Sequence, residues 1–177
     1  LFRSGKFNKF KGKGSIDYCL KCEAGSYTNA QGSATCEACE IGRFQATKGQ
    51  TSCALCGEGT SNPSRGGNAA ASCAKCLKGH YQDGTGKPSC KACGKGTYQD
   101  ELGSDGCVEC TAGTFNMFSA QTHHAACVNC SPGSYSDADG AIGCTNCVLG
   151  RANANKWPTT LLVASAVLRG SSPTKRP

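Results

Sequence analysis

Sixteen cysteines stand in eight C-x2-C pairs: Cys19/Cys22, Cys36/Cys39, Cys53/Cys56, Cys73/Cys76, Cys90/Cys93, Cys107/Cys110, Cys127/Cys130 and Cys144/Cys147. Thiols so arranged can ligate zinc as thiolates, cycle between dithiol and disulfide, or form a fixed disulfide framework. The stretch C-x2-C-x13-C-x2-C is near the spacing of four-thiolate zinc sites, and CALCG at Cys53 and CKACG at Cys90 look like zinc knuckles. Eight pairs would make four sites without remainder. Such an array must alternate segments inside a site with segments between sites, whereas here both kinds carry the same residues. A thioredoxin-like redox site has one C-x2-C in a strand-helix context with a lowered thiol pKa, and eight copies among glycines offer no such context. Dense, evenly spaced and even in number, the cysteines read as a disulfide framework, which persists in secretory or extracellular surroundings. An intracellular zinc-binding array acting as an interaction module is the alternative.

The elements that must position these cysteines are repeats. The step from pair to pair is seventeen positions five times and twenty positions twice. The third residue after each second cysteine is always glycine: Gly25, Gly42, Gly59, Gly79, Gly96, Gly113, Gly133 and Gly150. Two positions on stands an aromatic in six of eight, Tyr27, Phe44, Tyr81, Tyr98, Phe115 and Tyr135, with Ser61 and Ala152 as exceptions. A fixed period of this kind marks a tandem array. Asn29, Asp83, Asp100 and Asp137, two residues past the aromatic, are expected to start a chain reversal through their own side chains. The predicted unit is a small hairpin with two short strands, and the predicted fold is small, disulfide-rich, mostly β or irregular, and elongated. The two longer steps, after Cys56 and after Cys110, stand three repeats apart, as growth by blocks of three repeats would leave them.

Composition agrees that cross-links supply the order. From Cys19 to Cys147, Leu, Ile, Val and Phe number 11 of 129 residues, well under the ~20% below which an unlinked chain is expected to be disordered. Each disulfide closing a loop of about 15 residues contributes roughly 3 kcal/mol. The formal charge of +7 is uneven. Residues 1–14 and 151–177 each hold five basic side chains and no acid, while 15–150 hold nine basic and twelve acidic ones, so the repeats present no basic face for nucleic acid. Three regions are expected: a basic, flexible arm over 1–18, eight repeats over 19–150, and a basic tail over 151–177. The tail's apolar run, Leu161 to Leu168, is too short for a hydrocarbon core that needs about 20 residues. Without a start methionine or signal peptide at Leu1, the chain reads as part of a longer protein.

CEAGSYTNAQGSATCEAC, Cys22 to Cys39, resembles the ephrin-type-receptor-like cysteine-rich repeat, found in tandem in extracellular parts of large surface proteins. The resemblance spans 19–150 and rests on the cysteine pairs, the glycine and the aromatic. That family is similar in turn to the first submodule of tumour-necrosis-factor-receptor repeats. The resemblance identifies the repeat type and does not name a ligand. Disulfide density, repetition and the lack of a catalytic constellation give the expectation: a non-enzymatic extracellular spacer and protein-interaction region of a larger surface or secreted protein, with a protein or glycan ligand, membrane attachment only through parts of the protein outside this chain, and no cofactor or metal. No nucleophile with a nearby base and no phosphate-binding loop is present. His123-His124 reads as turn surface, Asp137, Asp139 and Gly140 as turn chemistry, and Asn129 heads the sequon Asn129-Cys130-Ser131.

Two regular pairings suit eight equivalent pairs. One joins first to third and second to fourth cysteine in two-pair modules, making alternate segments inequivalent. The other joins each second cysteine forward to the first of the next pair: Cys22 to Cys36, Cys39 to Cys53, Cys56 to Cys73, Cys76 to Cys90, Cys93 to Cys107, Cys110 to Cys127, Cys130 to Cys144. Each loop then encloses its glycine and usually its aromatic, placed to lie over the sulfurs. The tumour-necrosis-factor-receptor resemblance also favours this ladder. It leaves Cys19 and Cys147 single, with mates expected upstream and downstream.

Overall fold

A computed structural model describes residues 5–12 and 15–150. The basic tail and the apolar run within it lie outside the described residues. Sixteen strands of two residues each pair into eight antiparallel hairpins, with three 3-10 turns and no α-helix among the described residues. In every hairpin the first strand follows a glycine and the second is the pair of residues between two cysteines. Ser26–Tyr27 faces Glu37–Ala38, Arg43–Phe44 faces Ala54–Leu55, and the same holds down to Ser134–Tyr135 against Thr145–Asn146.

The cysteine-glycine spacing has a local cause. Directly after Cys22 the chain makes a four-residue turn in which the Ser26 N–H donates to the Glu23 carbonyl at 3.1 Å. Gly25 takes its third position with φ +84°. Positive φ there defines a type II turn, which side chains with a Cβ disfavour. The following Ser or Thr hydroxyl caps the same carbonyl, as Ser26 does at 2.8 Å, Thr60 at 2.6 Å and Thr97 at 2.8 Å onto their own turns.

Units then lock to their successors by backbone hydrogen bonds. The Gly25 N–H donates to the Gln45 carbonyl at 2.7 Å, the Gln45 N–H to Gly67 at 2.9 Å, and the Gly66 N–H to Cys39 at 2.7 Å. The same three bonds recur at Gly59, Gln82 and Gly103. Close approach extends to the unit after next, since a Cβ on Gly25 would overlap the Gly66 carbonyl oxygen, and one on Gly42 that of Gly86. The array is therefore a solenoid with second-neighbour contacts. Its core is thin: the buried apolar residues are all cysteines, with Cys22, Cys39, Cys56 and Cys93 at 0% exposure.

The N-terminal segment departs from the expected flexible arm. Lys6–Phe7 is a strand paired with Leu20–Lys21, and Gly5 has φ +84° and donates to the Thr28 carbonyl at 2.8 Å, as Gly25 does to Gln45. Asn8 accepts from the Phe10 N–H at 2.9 Å, as Asn62 accepts from Ser64 at 3.0 Å and Asn116 from Phe118 at 2.9 Å. The 3-10 turns Ile16–Tyr18, Ala70–Ser72 and His124–Ala126 occupy the three long turns, evenly spaced at every third unit. The described array thus includes, ahead of Cys22, a long unit that the cysteine count does not reveal.

Within this triplet of long units, Gly12 and Gly66 have φ +72° and +71°, and the third equivalent, Ala120, has φ +57°. Ala120 is the non-glycine residue with positive φ among the described residues. The left-handed region penalises an L residue by roughly 1–2 kcal/mol, and glycine's extra unfolded-state freedom offsets part of that. Ala120→Gly should raise stability by about 0.5–1 kcal/mol, read as a higher denaturant midpoint. A lower midpoint would mean that the backbone there is not held left-handed.

Candidate functional site

Seven disulfides run forward along the chain: Cys22–Cys36, Cys39–Cys53, Cys56–Cys73, Cys76–Cys90, Cys93–Cys107, Cys110–Cys127 and Cys130–Cys144. Cα separations of 5.4 to 5.8 Å fit unstrained bridges. The two-pair module, with Cys19 to Cys36 and Cys22 to Cys39, is not formed. Fourteen sulfurs are thereby bonded to sulfur rather than held as thiolates, and no three metal-ligating side chains converge among the described residues. A zinc array does not fit this arrangement.

Cys19 and Cys147 are free, Cys19 buried at 8% exposure. The first hairpin gives a register for the place that a mate of Cys19 would take in the sequence. If Gly5 corresponds to Gly25, the cysteine three residues before it would be residue 2, and residue 2 is Phe2. That position precedes Cys19 by the same separation of 17 that is found in Cys56–Cys73 and Cys110–Cys127. On that register a phenylalanine stands in the sequence where the partner cysteine is expected. After Cys147 no cysteine follows in 148–177.

Gly25, Gly42, Gly59, Gly79 and Gly96 are buried, Gly113 is half-buried, and Gly133 and Gly150 are exposed at the end of the described array. The rings of Tyr27, Phe44, Tyr81, Tyr98 and Phe115 are half-buried and Tyr135 is exposed. Each stands across its hairpin from the residue after the first cysteine of a pair, Tyr27 opposite Glu37 and Phe44 opposite Ala54. The carboxylate of Glu37 raises the pKa of the Tyr27 phenol. In the third repeat Ser61 takes the ring's place and contacts the Cys90 sulfur at 3.4 Å.

Sequence reasoning missed the side chains that close the turns. These lie one residue past the aromatic, not two: Thr28, Gln45, Asn62, Gln82, Gln99 and Asn116. In three of the five short units glutamine bridges its own loop. Gln82 accepts from the Gly84 N–H at 3.2 Å and donates to the Ser89 carbonyl at 2.6 Å, and Gln45 and Gln99 do likewise. In long units asparagine reaches back, Asn62 donating to the Arg43 carbonyl and Asn116 to Thr97, both at 2.9 Å. A carboxylate at these positions could only accept. An amide, with a donor and an acceptor, ties two strands of chain at once. The signal was present, because every position after the aromatic is an uncharged polar residue.

Gln82 is 2% exposed. Gln82→Glu keeps the shape but turns the donor toward Ser89 into an acceptor, which should destabilise by about 1–3 kcal/mol at pH 7. Burial raises the new carboxyl's pKa, and the protonated acid can donate, so the loss should shrink as pH falls through that pKa. Equal loss at pH 4 and pH 7 would count against the bridging role.

The remaining candidates have structural employment. His123 Nδ1 accepts from the Ala125 N–H at 3.2 Å and caps a 3-10 turn, and Asp139 accepts from the Ala112 N–H at 2.7 Å. Asn129 is exposed on the strand between Cys127 and Cys130. Lys91 binds Asp83 at 2.7 Å and lowers its pKa, an exposed pair of small energetic weight. Two open recesses are lined by Tyr27, Glu40 and Arg43 (about 230 Å³) and by Phe115, Phe118 and Val128 (about 330 Å³).

A tandem solenoid of eight hairpins, seven of them closed by a disulfide that steps forward along the chain, defines a cysteine-rich repeat protein. The sequence pattern of the family described as tyrosine-protein kinase ephrin type A/B receptor-like matches residues 25–73, 65–110 and 84–122. These matches span more than half of the chain, which therefore belongs to that family. No curated protein matches it. Among the described residues no helix is long and apolar enough to cross a membrane.

Proposed function

We propose that this chain is a non-enzymatic, extracellular cysteine-rich repeat region, a spacer and protein-interaction module of a larger surface or secreted protein. One observation carries the reading: every unit from Cys22 to Cys144 is closed by a disulfide and hydrogen-bonded to the next. Such a ladder has few apolar residues to hold it in a reducing compartment, so its stability depends on an oxidising one. The same connectivity resists bending, because successive units share backbone hydrogen bonds and contacts with the unit after next. That suits holding apart, and presenting, what lies at either end. Membership in a receptor-like family supports a protein ligand.

The test is thiol titration with metal analysis on chain secreted from eukaryotic cells, followed by small-angle scattering. Two free thiols per chain, no stoichiometric metal, and a radius of gyration well above the ~16 Å of a compact domain of the chain's length are expected. Sixteen free thiols with about four zinc ions, or a compact radius, would overturn the reading.

A further inference from the structure

We propose that the first hairpin binds sulfated polysaccharide through Lys6, Lys9, Lys11 and Lys21, an inference that rests on the extracellular reading above. Lys6 and Lys21 are direct partners across the hairpin. Like charges so placed repel and weaken the strand pair. The stem of Lys21 lies against Gly49, beside Lys48, while Lys9 and Lys11 continue into the turn. The Lys9 ammonium sits 5.5 Å over the Phe10 ring, which meets Tyr18 edge-on at 5.9 Å and remains 45% exposed. Ion pairs among the described residues are Lys48–Glu23 and Lys91–Asp83, so none of these four lysines meets a carboxylate. Residues 1–22 hold six cationic side chains and one acid, whereas 96–150 hold six acids and no lysine or arginine. A polyanion is therefore attracted to the first hairpin and repelled from the units over 96–150.

The spacing selects the ligand. Lys6 and Lys21 are about 5 Å apart at Cα, and Lys9 and Lys11 lie within roughly 10 and 17 Å of Lys6 along the chain. A single anion would engage only part of this set, whereas a chain with repeated sulfates engages all of it and can lay a sugar face on Phe10. Anionic lipids concentrate on the cytoplasmic leaflet, so an extracellular protein meets charged glycans instead.

The experiment titrates the full chain with heparin across a range of salt. Affinity should fall with log salt at a slope of about −3 to −4, as counterions leave the polyanion. With all four lysines changed to glutamine, affinity should drop roughly a hundredfold at 0.1 M salt and the slope should flatten. Lysine-to-arginine changes at the four positions should keep both, and neutralising Arg151, Lys156, Arg169, Lys175 and Arg176 should leave the hairpin's contribution in place. Lys6→Glu separates binding from folding, because it should raise the thermal midpoint by pairing with Lys21 while weakening heparin binding. Unchanged binding in the four-glutamine variant, a loss confined to the tail variant, or competition by vesicles of anionic phospholipid as effective as heparin would overturn the proposal. Thiols are counted on the same samples. Two free thiols without heparin binding sinks this inference alone, and sixteen with zinc sinks the extracellular reading.

Discussion

Gly59→Ala is expected to destabilise the array by about 3 kcal/mol or more, whereas Gly133→Ala should cost about 1 kcal/mol. Both glycines hold positive φ, +71° and +83°, so a methyl group strains both backbones alike. Their surroundings differ. A Cβ on Gly59 would overlap the carbonyl oxygen of Gly103, and nothing lies within 4 Å of one on Gly133. Gly103 cannot retreat freely, because its N–H is bonded to the Cys76 carbonyl at 2.8 Å and its turn packs on Lys75. Relief would have to break the bond that links one unit to the next. Denaturant unfolding with disulfides intact measures both variants, and equal losses would show that strain alone, not the close approach, fixes the glycine.

The difference between these two glycines was not legible in the sequence, where all eight look alike. The repeat, its hairpin and the disulfide-rich class were legible, because one unit copied many times makes its pattern visible without any homologue. Cysteine, glycine and aromatic each stand at fixed offsets for a local reason: the type II turn after each second cysteine and the two-residue strands around it. What lay hidden depends on contacts across a loop or between units. Gln82 and Asn62 look like ordinary turn residues until the carbonyls they tie, Ser89 and Arg43, are brought beside them. The first hairpin was hidden for a different reason. Its marker cysteine is Phe2, so a search keyed on cysteine pairs starts one unit late, although Gly5, Phe7 and Asn8 keep the register. The three-unit spacing of the long steps, read backward from Cys110 and Cys56, would have pointed to residue 2.

Removing the Cys56–Cys73 bridge as a pair, Cys56→Ser with Cys73→Ser, is expected to destabilise by about 3 kcal/mol and to do so locally. The bridge closes one of the long loops, at a sequence separation of 17. Paired substitution leaves no odd thiol to reshuffle. The freed loop carries Gly66 and Gly67, which bond to Cys39 and Gln45 in the preceding unit at 2.7 and 2.9 Å, and Asn62, which bonds to Arg43. Loosening should therefore spread backward across the unit closed by Cys39–Cys53 and forward through Gly59 to the turn at Gly103. It should stop there, since in a solenoid no longer contact carries it further. Arg65, inside the loop, becomes the site at which trypsin reports the opening, while amides of the last two units, 111–147, keep the exchange protection of the parent chain. If protection fell evenly from Cys22 to Cys147, the array would be unfolding as one cooperative body, and the unit-by-unit account of its stability would have to be given up.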